Sequence, residues 1–274
     1  MEVLHERGYL IVASIHQSTD YLACARALAK SLRWHMPDCK ICLVTNGEES
    51  DPVFDIVKPF PFEAKGGWHD DWQVFYATPF RQTIKLEADM LITQPIDHWW
   101  NWFEHRDVVI SKGIRNYQNT IATTRAYRGL FDDNDLPDVY NSITYWRKSA
   151  LAAEFFNIVK TLFENWTVAR TALAYCDTVD ANTDMIYAIA AKMIGEEKVT
   201  LPYLWPNMIH MKCAANWIQN ESYPWIDQAV WEFDNGKIRI NTIEQQWPFH
   251  YHHKEFAHEA EKHYDELLGS SRTH

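Results

Sequence analysis

The sequence predicts an α/β fold: one mostly parallel sheet with helices on both faces. Three observations carry this. Two apolar runs of strand length, Tyr9 to Ile15 and Lys40 to Thr45, flank a segment whose apolar residues recur at helical spacing. Such β-α-β units are right-handed and build parallel sheets. Strand-length and helix-length patterns then keep alternating as far as Lys192, which is the signature of an α/β layer architecture.

The elements follow in order. Tyr9-Leu-Ile-Val-Ala-Ser-Ile15 is apolar throughout and reads as a strand buried on both faces. Asp20 to Trp34 places Leu22, Ala25, Leu28, Ala29 and Leu32 on one helical face, and Ser18, Thr19 or Asp20 can cap it. Lys40 to Thr45 is the second strand, closed by Asn46-Gly47, and Ile56 to Lys58 is a short third. Asp71 to Ala77 is read as a short helix, Thr83 to Ile92 as the fourth strand and Trp99 to Glu104 as a helical turn. Asp107 to Ser111 and Tyr140 to Trp146 are the fifth and sixth strands. Ala150 to Trp166 is the longest amphipathic helix and Thr183 to Lys192 another. Beyond Val199 the pattern loosens into a hairpin, Ala229 to Phe233 and Lys237 to Asn241 about an Asp234-Asn235-Gly236 turn, and a polar terminal helix, Phe256 to Leu268. Without repeats or a low-complexity linker, 1–274 reads as one domain, with 8–195 as its core and 196–274 as a C-terminal elaboration.

Composition narrows the function classes. The formal net charge is -11, whereas proteins that hold duplex DNA through many phosphate contacts usually carry a basic surplus. A nucleic-acid acceptor would need a local basic patch. Trp, Tyr and Phe number 13 each, enough to fill a core and still line a cleft that stacks on flat ligands. The five cysteines, Cys24, Cys39, Cys42, Cys176 and Cys213, are odd in number and Cys39-x-x-Cys42 has no second pair, so they read as free thiols of a reducing compartment rather than a zinc ribbon. The charged start, Met1 to Gly8, is no signal peptide, and no apolar run approaches the ~20 residues that span a bilayer. The expected location is the cytoplasm.

In an open parallel sheet, ligands bind beyond the carboxyl ends of the strands. Here the first strand-to-helix turn lacks Gly-x-Gly-x-x-Gly, and no Gly-rich loop ends in Lys-Ser/Thr. A diphosphate would therefore need another neutralising device. Glu87-Ala88-Asp89 offers one: two carboxylates one residue apart, bracketed by Ile84, Leu86, Met90, Leu91 and Ile92. On a strand, positions i and i+2 point to the same side, and two acids there repel unless a cation lies between them. Mg2+ or Mn2+ would satisfy both and assist a departing diphosphate.

The stretch Thr83-Ile-Lys-Leu-Glu-Ala-Asp-Met-Leu-Ile92 resembles the Asp-x-Asp strand of GT-A-fold glycosyltransferases, with Glu87 where Asp is usual. More narrowly the chain is similar to bacteriophage-encoded nucleotide-sugar transferases. The matching pieces are Gly8-Tyr-Leu-Ile-Val-Ala13, Thr19-Asp-Tyr21, Tyr76-Ala-Thr-Pro-Phe80, Asp97-His-Trp-Trp100, Asn134-Asp-Leu-Pro-Asp-Val-Tyr140 and Thr183-Asp184. The resemblance implies the GT-A fold, a UDP-sugar donor, and Mn2+ or Mg2+ held by Glu87, Asp89 and His250. His250 belongs to Phe249-His-Tyr-His-His-Lys254, which resembles a segment that closes the metal site; His252 is the second choice, and Lys254 is expected on the diphosphate. Asn141, in Asn141-Ser142-Ile143, and Asp184 are expected near the reacting sugar. Placement by fold puts Ala13, Ser14, Ile15, Asp20, Tyr21, Thr45, Asn46 and Lys85 around the nucleotide.

The phage resemblance further implies a hydroxyl acceptor on a 5-hydroxymethylated pyrimidine, hydroxymethylcytosine, of phage DNA, in the host cytoplasm. Lys112, Arg115, Arg125, Arg128, Arg147 and Lys148 are expected to form the patch that holds the strand. A protein, glycan or small-molecule acceptor is the alternative, as are a non-catalytic sugar- or nucleic-acid-binding module and a nucleotidyltransferase, although the last usually has a Gly-rich phosphate loop.

Overall fold

A computed structural model of the protein describes residues 5–15, 19–121, 128–202, 205–211 and 224–271. Their strands are β1 (His5–Ala13), β2 (Ile41–Thr45), β3 (Ile56–Lys58), β4 (Phe80–Glu87), β5 (Met90–Leu91), β6 (Val108–Lys112), β7 (Val139–Arg147), β8 (Ile209–His210), β9 (Trp231–Asp234), β10 (Lys237–Ile240), β11 (Ile243–Glu244) and β12 (Phe249–His250). Six of them form the central sheet, in the order β3-β2-β1-β4-β7-β6. β3, β2, β1 and β4 run parallel, while β7 is antiparallel to both β4 and β6. This is the expected mostly parallel α/β sheet, with helices packed on both faces.

Alternate side chains of the central strands enter different cores. Tyr9, Ile11, Ala13, Ile41, Leu43, Ile84 and Leu86 face the helices Tyr21–His35 and Phe256–Ser271. Leu10, Cys42 and Val44 face the helices Ala150–Glu164 and Thr183–Ile194. Burial on both sides explains why β1 and β2 read as unbroken apolar runs. Asp20 caps the helix Tyr21–His35, its Oδ1 accepting the Ala23 N–H at 2.9 Å. The C-terminal helix is not the polar element expected. Phe256, Ala257, Ala260 and Tyr264 are buried on one face, and its polar face is tied to the first helix by Arg26–Glu261 at 2.7 Å and Lys30–Asp265 at 2.8 Å.

The hairpin forms as β9 and β10, with Lys237 opposite Asp234 and both turn residues, Asn235 and Gly236, at positive φ (49° and 81°). That is the two-residue geometry that Asn-Gly favours. The expected helix Asp71–Ala77 starts earlier, as a 3-10 helix over Gly67–Gln73 that continues into the α-helical turn Val74–Ala77.

One expected strand is corrected. Thr83–Ile92 is not continuous: β4 ends at Glu87, a turn follows, and β5 leaves the central sheet to pair antiparallel with β12. Apolar residues on the two sides of the acids belong to strands of different sheets yet enter one core, so the periodicity runs on through a break it cannot register. Among the described residues no helix is long and apolar enough to cross a membrane.

Candidate active site and metal centre

β1 and β4 end side by side, with Val12 opposite Glu87, and β7 begins beside them. A cavity of 360 Å3 opens at this edge. A small second sheet, ordered β5-β12-β8, crosses it. Met90 pairs with His250 in that sheet, and the Tyr251 N–H donates to the Asp89 carbonyl at 3.1 Å. Two residues 161 positions apart thereby meet: His250 Nε2 lies 2.9 Å from Asp89 Oδ2. The Lys254 ammonium bonds the same oxygen. Glu87 Oε2 stands 3.6 Å from His250 Nε2 and accepts the Ser142 hydroxyl at 2.7 Å.

The electrostatics follow from this crowding. Burial alone would raise the Asp89 carboxyl, but the charges of His250 and Lys254 outweigh it and hold the group well below the usual carboxylate range. Burial would lower the His250 imidazole, and Asp89 and Glu87 more than reverse that. Glu87 goes the other way: burial raises it, and its neighbours do not compensate. The two acids are therefore unequal. Asp89, 5% exposed, holds its charge; Glu87 accepts from the Ser142 hydroxyl and is further from the imidazole.

The donor set fits a divalent cation. Asp89, His250 and His252 each offer one ligand atom, all within 4.8 Å of one another. Ligands about 2.1 Å from an octahedral ion and at right angles lie about 3.0 Å apart, close to the Asp89–His250 separation. The two imidazoles favour a transition metal over the harder Mg2+. His252 is held at φ 58°, a left-handed backbone that a non-glycine side chain adopts where surroundings enforce it.

The other expected residues separate into two groups. Ser14, Tyr21, Lys85, Asn141 and Lys254 line the cavity with Glu87, Asp89, His250 and His252. Ala13, Ile15, Asp20, Thr45 and Asn46 stand apart from its wall. Ala13 is wholly buried in β1. The Asn46 amide accepts the Ile15 N–H at 2.6 Å and donates to the Ile15 carbonyl at 3.2 Å, clamping the ends of β1 and β2. Thr45 Oγ1 accepts from Gly47 N at 3.0 Å. Asp184 Oδ1 accepts the Asn141 N–H at 2.7 Å, fixing the start of β7 beside the acids.

Lys85 is only 2% exposed, and its ammonium is bound to Asp71 Oδ1 at 2.7 Å. Tyr187 donates to Asp71 Oδ2 at 2.5 Å. Asp71 and Trp68, both on the cavity wall, carry no sequence signal that marks them for the site. His210 was equally unreadable: it is a lone histidine in a loosely patterned stretch, and only the pairing of β8 with β12 brings it to the site.

The expected basic patch is not assembled among the described residues. β7 runs antiparallel to β4 with Arg147 opposite Gln82, so Arg147 and Lys148 lie at the far end of the sheet from Glu87. Arg147 pairs with Asp107 at 2.5 Å and Lys112 with Glu196. Arg115 donates to the Asn119 carbonyl at 2.8 Å. Arg125 lies outside the described residues, as does the side chain of Arg128.

The Lys148 ammonium sits over the Phe75 ring at 4.1 Å and bonds the Phe75 carbonyl. Burial, with Lys58 adding to it, pushes its pKa down to about 7. The folded value lies below the unfolded one, so between about pH 7 and about pH 10 the unfolded chain binds the extra proton and stability rises with pH. Thermal unfolding should show wild type gaining on Lys148→Met as pH is raised through that window, and constant spacing between the two would refute the burial account.

No protein-family model matches the chain, and no curated protein sequence matches it. Its shape is similar to several solved glycosyltransferases. Against GlyE of Streptococcus pneumoniae, identity is 10% and the TM-score 0.43, covering 72% of this chain and 45% of that one. Against the galactosyltransferase LgtC, solved with donor and acceptor sugar analogs, identity is 11% and the TM-score 0.45, covering 66% and 70%. Against mouse xyloside xylosyltransferase 1, the values are 12% and 0.48, covering 76% and 88%. The chain spans less than half the length of the pneumococcal protein.

Proposed function

We propose that the chain is a metal-dependent glycosyltransferase that moves a sugar from a UDP-sugar to a hydroxyl. The observation that carries this reading is Asp89. It is a buried carboxylate at the carboxyl end of β4, kept charged by His250 and Lys254, facing a cavity with His252 and Glu87 beside it. Asp89, His250 and His252 would hold Mn2+ or Mg2+, with Glu87 adjacent. When bound, the ion acts as a Lewis acid on the departing diphosphate.

This chain's own residues supply the rest. Lys254, whose side chain is 24% exposed, provides a positive charge for phosphate oxygens in place of the missing Gly-rich loop. Ser14 and Tyr21 form the wall on the β1 side, where a nucleoside fits. Asn141, oriented through its backbone by Asp184, faces the opposite side of the cavity, where the transferred sugar fits. In this reading 8–195 is the donor-binding core of a single domain, and 196–274 closes the metal site.

The finer reading of the acceptor, a hydroxymethylated pyrimidine of phage DNA, rests on the sequence resemblance alone. The test is therefore a panel. The protein is incubated with UDP-sugars and Mn2+ against hydroxymethylcytosine oligonucleotides, glycans and peptides, reading UDP release and the mass gained by each acceptor. UDP release that is lost with EDTA and restored by Mn2+ is expected. Release indifferent to EDTA would sink the metal assignment, and mass gained by a glycan or peptide alone would remove DNA as acceptor.

A further inference from the structure

The small sheet β5-β12-β8 aligns three side chains in a row. Asp89 precedes β5, His250 closes β12 and His210 closes β8. β8 and β12 run parallel with His250 directly opposite His210. The register is fixed from both sides. Ile209 N donates to the Pro248 carbonyl at 2.8 Å and Met211 N to the His250 carbonyl at 2.9 Å. On the far side of β8, Arg115 N donates to the Met208 carbonyl and His210 N to the Arg115 carbonyl, both at 2.9 Å.

The consequence is a contact between rings. His210 Nδ1 lies 3.1 Å from His250 Nδ1, with the ring planes at 71°. At that distance one nitrogen carries the hydrogen and the other accepts it. The opposite nitrogen of His250, Nε2, is the one beside Asp89. His210 is absent from the set of donors that converge with Asp89, so its place is behind the ligand.

We infer that His210 is a positioning residue for the metal ligand His250. This rests on the metal-dependent reading above. A neutral imidazole bears one ring hydrogen, so a His250 that offers the Nε2 lone pair to a cation must carry its hydrogen on Nδ1. His210 Nδ1 accepts that hydrogen and selects this tautomer over the one that would place it on Nε2, toward Asp89. It also fixes the ring's rotation, because an imidazole held at only one nitrogen can swing out of line with Asp89 and His252. Metal-bound histidines commonly donate their second N–H to a carboxylate, a carbonyl or water; here the acceptor is a second imidazole, supplied by the neighbouring strand.

Two substitutions separate positioning from packing. His210→Phe keeps a ring against His250 but removes the acceptor. His210→Asn loses the ring but presents an amide oxygen where Nδ1 stood. Mn2+ binding to the full chain, measured by calorimetry or water-proton relaxation, should weaken about 10- to 100-fold in His210→Phe. It should return to within about threefold of wild type in His210→Asn, with both variants melting near wild type when metal-free. Equal affinity in wild type and His210→Phe overturns the inference and leaves the metal site standing. So does equal weakening in both variants. A wild-type protein that holds no Mn2+ overturns the metal reading and this inference together.

Discussion

Asp89→Asn is expected to reduce Mn2+-dependent UDP release by about a thousandfold, because Lewis-acid stabilisation of developing charge is worth several kcal/mol and each 1.36 kcal/mol is a factor of ten. The substitution keeps size and shape, so the packing of Met90 and the pairing of β5 with β12 should survive. What disappears is the charge. Among the described residues Asp89 is the one carboxylate bonded to both His250 and Lys254, and these two hold it ionised despite burial. Glu87→Gln should do much less, on the order of tenfold, an outer-ligand effect rather than loss of a direct ligand. Glu87 stands 3.6 Å from the imidazole, accepts from Ser142, and is raised by burial toward its neutral form. Steady-state release at saturating Mn2+ compares the two variants directly. A Glu87 effect equal to that of Asp89 would make the acids equivalent ligands; an Asp89→Asn enzyme within tenfold of wild type would remove Asp89 from the chemistry.

The inequality of these acids shows how far the sequence could be read. Glu87-Ala88-Asp89 was legible because an acidic pair amid Ile84, Leu86, Met90, Leu91 and Ile92 is conspicuous. Its conformation was not. The i, i+2 argument assumes one strand, whereas Asp89 lies in a turn after β4 and owes its position to β12. The helix cap at Asp20 and the Asn235-Gly236 turn are local devices whose partners lie within a few residues, and both form as expected. His210, Asp71 and Tyr187 depend on pairings across long stretches of chain, for which local periodicity holds no information. Arg147 and Lys148 part from the expected basic patch for a related reason. Arg147 is near Asn141 in sequence, but an extended nine-residue strand running antiparallel to β4 carries it to the opposite end of the sheet. The C-terminal helix looked polar because only four of its residues are wholly buried, yet these share one face and cover the first helix.

Asp71→Asn is expected to destabilise the fold by about 3 to 5 kcal/mol, the usual result of removing one partner from a buried ion pair. Lys85 is 2% exposed, and among the described residues its hydrogen bond other than Asp71 is to the Asn141 carbonyl at 3.4 Å, too long to replace a carboxylate. A nearly buried ammonium at the cavity wall would then lose its hydrogen-bonded counter-charge. The loss has a second arm, because Tyr187 donates to the other Asp71 oxygen and its phenol, raised by burial and by the Asp71 charge, stays protonated as that donor. The 3-10 helix Gly67–Gln73, the fourth strand and the helix Thr183–Ile194 meet at this one carboxylate, so the cavity wall bearing Trp68 should loosen with it. Lys85→Met in the same chain removes the stranded charge and should recover much of the stability, since a well-packed apolar side chain often replaces a buried pair at little cost. Chemical denaturation of the two single variants and the double variant closes the cycle. A double variant as unstable as the sum of the singles would mean that Asp71 and Lys85 act independently, and the ion pair would then not be what holds the cavity floor.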